Sequence, residues 1–139
     1  MFNAETILLP TNGNNLSLEN HVIGYQVQGE STVVLLKKGD NVVFSMVIDS
    51  YQQSINATID ILKSNNINSL DFLVWTHPHE DHSEGIEILL EEYCNKNTKV
   101  IIPNIDSWID KEKTSAYCEY LMNKYNDLID YLKSKEKGE

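Results

Sequence analysis

The chain contains no arginine: all eleven of its basic residues are lysines, set against 21 Asp and Glu in 139 residues, for a net charge of −10 with histidine neutral. A nucleic-acid surface needs a clustered basic patch, and a helix lying on a membrane needs Lys or Arg along its polar face. Neither pattern is present, so no basic nucleic-acid-binding surface and no membrane partner are expected. Bidentate recognition of phosphate or carboxylate is arginine's speciality. Any anionic substrate is therefore left to metal, backbone amides or lysine. Apolar runs are short, as in Val33-Val34-Leu35-Leu36, which is strand length and far below a membrane span. Met1-Phe2-Asn3-Ala4-Glu5 lacks a basic start of the secretory kind. Cys94 and Cys118 are the two cysteines, fewer than an exported disulfide scaffold carries and without metal-type spacing. The expected setting is cytoplasmic.

What is present suffices for one core. The apolar share is 41%, too high for an acidic disordered chain, and the length is that of a single domain, 1–139. β-Branched segments at about 21–28, 31–37 and 42–49 predict three strands. Gly29-Glu30 and Lys38-Gly39-Asp40-Asn41 are the expected turns between them. Ile55, Ile59 and Leu62 then recur at helical spacing and predict a helix over about 52–65. Phe72-Leu73-Val74-Trp75 reads as a strand covered on both faces. A second helix is expected over about 84–95, with Ile86, Leu89, Leu90 and Tyr93 on its buried side. Lys99-Val100-Ile101-Ile102 reads as another buried strand ended by Pro103. A long last helix is expected over 106–135 from the stripe Tyr117, Leu121, Tyr125, Leu128, Leu132, followed by a frayed tail over 133–139. The expected order is β-β-β-α-β-α-β-α, a meander continuing into α/β crossovers.

Between the Phe72–Trp75 strand and the second helix lies His77-Pro78-His79-Glu80-Asp81-His82, which holds three of the four histidines in the chain. Imidazoles with a carboxylate are the ligand set of zinc and related divalent ions. In an extended exit loop residues i and i+2 point the same way, so His77 and His79 converge on one ion. The chain then turns into helix and presents Asp81 and His82 toward a neighbouring point. Two ligands for each of two adjacent ions is the natural reading, and a two-metal site both generates hydroxide and clamps the oxygens of a displacement. Gly85 would let the helix start pack close to another backbone.

Thr76-His77-Pro78-His79-Glu80-Asp81-His82-Ser83-Glu84-Gly85 closely resembles the signature loop of the metallo-β-lactamase-fold hydrolases. Its Thr-His-Pro-His form is most similar to the hydrolase domains associated with competence and DNA uptake and to related phosphodiesterases. Val47-Ile48-Asp49 resembles the earlier strand of that family, whose terminal carboxylate buttresses the metal loop. The resemblance implies the N-terminal half of an αββα-type half-sandwich. It implies two zinc ions, with manganese or iron(II) as alternatives, His77 and His79 serving the first and Asp81 and His82 the second. Asp81 would also stand beside the attacking water as the catalytic residue. The implied substrate is a small molecule or nucleotide held through metal, a phosphodiester being the favoured class.

The chain departs from that pattern in three places. Ser50-Tyr51 stands where the family has a small residue and Gly, and Glu84 replaces the first of two common glycines. The family completes its site with histidines and an Asp well downstream, whereas His21, upstream of the loop, is the one histidine outside it. The loop is thus about half of a site, which implies a complementary C-terminal half of the fold or a homo-oligomeric partner. The alternative function is a truncated, non-catalytic assembly or interaction module retaining the loop as a remnant.

Overall fold

The computed structural model describes residues 2–8, 15–25, 28–51, 55–76 and 80–102. Six strands form a single sheet in sequence order: β1 (Phe2–Leu8), β2 (Leu16–Tyr25), β3 (Gln28–Lys38), β4 (Asn41–Ile48), β5 (Phe72–Val74) and β6 (Lys99–Ile101). The first four pair antiparallel, while β4, β5 and β6 run parallel. Parallel neighbours need crossovers. Helix α1 (Ile55–Ser64) makes the one between β4 and β5, and α2 (Glu80–Ser83) with α3 (Ile86–Tyr93) makes the one between β5 and β6.

The pleat sorts the strand residues onto two faces. Val33 pairs Val47, Leu35 pairs Ser45, and Val47 pairs Leu73, so these share one face and all are buried. Ile55 and Leu62 of α1 and Ile86, Leu89, Leu90 and Tyr93 of α3 complete the same core cluster, so the helices cover that face. The α1 side turned to the sheet is the 55/58/62 stripe rather than 55/59/62. Thr58 is fully buried there and shares a 3.2 Å hydroxyl hydrogen bond with Ser31 of β3, while Ile59 is half-buried. α1 ends where the sequence turns to Asn: Asn65 Nδ2 donates to the Ile61 carbonyl at 2.8 Å, and Asn66 takes φ +57°.

The expected αββα-type half-sandwich, in the order β-β-β-α-β-α-β-α, does not form. Among the described residues the order is β-β-β-β-α-β-α-α-β, and every strand belongs to one mixed sheet. On its other face Val34, Leu36, Phe44, Met46, Ile48, Phe72 and Val74 are only half-buried, and among the described residues no second sheet packs there. Phe44 and Phe72 meet there at 5.6 Å between ring centroids, with the Lys99 ammonium 5.7 Å above the Phe72 ring. β5 is therefore not covered on both faces: Leu73 is fully buried but its neighbours are not. β6 is not a buried strand either, being the sheet edge with Ile101 49% exposed. The helix expected over 106–135, the tail over 133–139, Pro103 and Cys118 lie outside the described residues.

Two strand limits also move. β2 begins at Leu16 rather than 21, and β1 is an additional strand, in register from Phe2 opposite Ile23 to Leu8 opposite Ser17. Gly29-Glu30 lies within β3 rather than in a turn, because β2 and β3 stay paired to Tyr25 and Gln28 after an irregularity at Ile23/Gly24. The β3–β4 turn falls at Gly39-Asp40 as expected, with Gly39 at φ +61° and its N–H on the Asn15 carbonyl at 2.8 Å.

On the helix side of the sheet, Glu19 receives Lys37 Nζ at 2.6 Å and lies 3.0 Å from His21 Nε2. Burial pushes the Glu19 carboxyl up, but the hydrogen bonds from Lys37 and His21 outweigh it and hold it below its ordinary value near 4.5. A depressed carboxylate stabilises the fold above its unfolded pKa and loses that contribution as pH falls through the folded one. Urea midpoints of the wild type should therefore drop below about pH 4.5 more steeply than those of Glu19→Gln; superimposable acid limbs would contradict this.

Candidate functional site

Because β4, β5 and β6 are parallel, their carboxyl ends share one edge of the sheet, the place where open sheets of this kind bind ligands. Asp49 follows β4 directly and Thr76 lies two residues beyond β5. The Asp49 N–H continues the ladder onto the Val74 carbonyl at 2.7 Å, and the residue then enters the left-handed region at φ +60°. That conformation is uncommon outside glycine, and Asp tolerates it better than most residues. Here it turns the carboxylate across to the end of β5. Asp49 is 5% exposed, and its oxygens are engaged. Oδ1 accepts the Thr76 N–H at 2.7 Å, and Oδ2 accepts the Thr76 hydroxyl and lies 3.0 Å from His82 Nδ1. A buried carboxylate requires such donors, since an unpaired one is costly.

α2 is fastened from the same side. The Ser50 N–H donates to the His82 carbonyl at 3.2 Å, and the Trp75 indole N–H donates to Ser83 Oγ at 2.8 Å. Trp75 is 1% exposed and Ser83 0%. Gly85, at φ +98°, separates α2 from α3, so the helix expected over 84–95 is α3 alone, preceded by a distinct turn of helix. The close packing expected at Gly85 against another backbone is instead against side chains: a Cβ there would lie 2.5 Å from Ser50 Oγ and 3.3 Å from Ile55. Ser50 Oγ is itself buried and has no hydrogen-bond partner among the described residues.

Of the residues singled out by sequence, His77, Pro78 and His79 lie outside the described residues. Asp81 falls within the α2 backbone, and its side chain also lies outside the description. His82 is half-buried and joined to Asp49 and Thr76 through the shared carboxylate. His21 is in β2 with Glu19, on a strand separated from β4 by β3. Among the described residues no three of His, Cys, Asp and Glu gather into a metal-holding group. Two contributors escaped the sequence reading, Ser83 and the Trp75 indole. A polar residue and a tryptophan eight positions apart carry no signal of contact until the loop between them is closed. A cleft of about 400 Å³ lined by Asp40, Asn41, Asn66, Asn68 and Asp71 opens at the amino ends of β4 and β5, the opposite end from Asp49.

No family model, no curated protein and no solved structure matches the chain.

Proposed function

We propose that this chain contributes part of a metal-dependent hydrolase site, in which metal-activated water attacks an ester-like bond, with a phosphodiester as the favoured substrate class. The observation that carries the reading is the contact between Asp49 and His82 Nδ1 at 3.0 Å. A neutral imidazole that donates from Nδ1 to a carboxylate carries its lone pair on Nε2, the arrangement typical of a metal-ligating histidine. The donor set of the loop fits zinc, manganese or iron(II). His77 and His79 would hold one ion and Asp81 and His82 the second, the carboxylate of Asp81 also serving the attacking water. When bound, such ions supply a nucleophile at neutral pH and positive charge against the developing negative charge.

The rest of the work belongs to the chain. Asp49 and Thr76 orient His82, and the turn at Asp49 brings two strand ends to one point. Remaining ligands would come from a further chain segment or a second copy, since residues 83–139 contain no histidine. A chain of net charge −10 without arginine leaves the attraction of an anionic substrate to the ions. The reading includes a cytoplasmic setting, which rests on the two-cysteine composition.

A second reading, a non-catalytic assembly module, is favoured by the half-buried apolar face carrying Phe44, Met46, Ile48, Phe72 and Val74. Elemental analysis separates the two. The hydrolase reading expects the assembled protein to hold close to two transition-metal ions per chain, and His79→Ala with Asp81→Ala to lose them together with cleavage of a generic phosphodiester. Metal content and cleavage unchanged in that double variant would sink the hydrolase reading.

A further inference from the structure

α2 is a single turn of helix, Glu80–Ser83, too short to hold itself in place by its own hydrogen bonds. Its position is therefore set by what fastens it. Two fastenings come from the β4 exit, the Ser50 N–H on the His82 carbonyl and the contact of Asp49 with the His82 ring. Both act on one residue, His82. Among the described residues another comes from the β5 exit and acts on the next residue, Ser83. Trp75 is fixed to the sheet by its own N–H on the Ile101 carbonyl at 2.8 Å, and its indole N–H reaches Ser83 Oγ at 2.8 Å. Successive helical residues point about 100° apart, so fixing the Ser83 hydroxyl fixes the rotation that aims His82. The bond is fully buried at both ends, where water does not compete for either partner.

We infer that Trp75 and Ser83 are positioning residues, the indole-to-hydroxyl bond setting the rotation of α2 that brings His82 Nδ1 onto Asp49. On the hydrolase reading, which only the second half of the test below uses, the same bond aims His82 Nε2 at the metal. The sequence shows nothing of this pair, and neither residue would touch a metal or substrate.

The test begins with the metal-free protein and the Nδ1 proton resonance of His82. Wild type should show it as a slowly exchanging downfield signal, and Ser83→Ala should broaden or lose it while the circular dichroism spectrum stays that of the folded chain. Zinc titration by calorimetry should then give an association about tenfold weaker in Ser83→Ala than in wild type, the scale on which groups behind a ligand act. Trp75→Phe should match both results. Where the loss of a large buried side chain unfolds that variant, Ser83→Ala decides alone. A folded Ser83→Ala with an unchanged His82 resonance overturns the inference, and so does unchanged zinc affinity where wild type binds zinc. A wild type that takes up no zinc overturns the hydrolase reading instead, and the clamp then stands or falls on the His82 resonance.

Discussion

Asp49→Ala should lower the unfolding free energy by about 3 kcal/mol, because it removes a buried carboxylate that accepts several hydrogen bonds at once. The Thr76 N–H, the Thr76 hydroxyl and His82 Nδ1 all turn to this carboxylate, which is itself only 5% exposed, between an exposed Thr76 and a half-buried His82. The backbone adds a smaller part, because alanine at φ +60° costs about 1 kcal/mol. Three variants separate the two contributions. Asp49→Gly relieves the backbone and still loses the carboxylate, so it should recover no more than about 1 kcal/mol over alanine. Asp49→Asn keeps shape and tolerates the left-handed region, but its amide turns a donor toward other donors and should fall between alanine and wild type. Urea unfolding reads all three. A loss below about 1 kcal/mol in Asp49→Ala would show that the carboxylate does not hold the β4 and β5 exits together.

Gly85→Ala is the second large effect, about 3 kcal/mol, because two costs coincide. The residue sits at φ +98°, and an added Cβ would come within 2.5 Å of Ser50 Oγ and 3.3 Å of Ile55. The clash has a simple relief. Ser50 Oγ is buried with no hydrogen-bond partner among the described residues, so Ser50→Ala should be close to neutral alone. In the double variant the steric part disappears and the backbone part remains, so the two changes should couple favourably by at least about 1 kcal/mol. Strict additivity in thermal or urea unfolding would mean that α3 shifts to avoid Ser50 and that the close approach is not rigid.

The legibility of the chain follows the range of the interactions. α3 could be read from Ile86, Leu89, Leu90 and Tyr93 because helical periodicity is written within a dozen residues, and all four are buried. The Gly39-Asp40 turn was visible for the same reason. β1 was not, since Asn3-Ala4-Glu5 has weak strand propensity and the segment becomes a strand by pairing with β2, Phe2 opposite Ile23. At α1 the period pointed to Ile59, and the structure buries Thr58 because Ser31 on β3 offers it a hydroxyl partner. At the site, sequence singled out His82 by its neighbours, and Asp49 by a resemblance to an earlier strand. What it could not supply was their meeting, 33 residues apart, at 3.0 Å.

The sequence by itself determined the α3 stripe, the Gly39-Asp40 turn, the lysine-only acidic balance and the gathering of three histidines in the His77–His82 segment, because periodicity and composition are properties of neighbours along the chain. Only the tertiary structure decided that the described strands join in one mixed sheet with one half-buried apolar face, that Asp49 turns left-handed to join two strand ends, and that Trp75 fastens Ser83. Each of these depends on groups far apart in sequence satisfying one another in a space that water has left, and such a partner has no signature until the chain has folded.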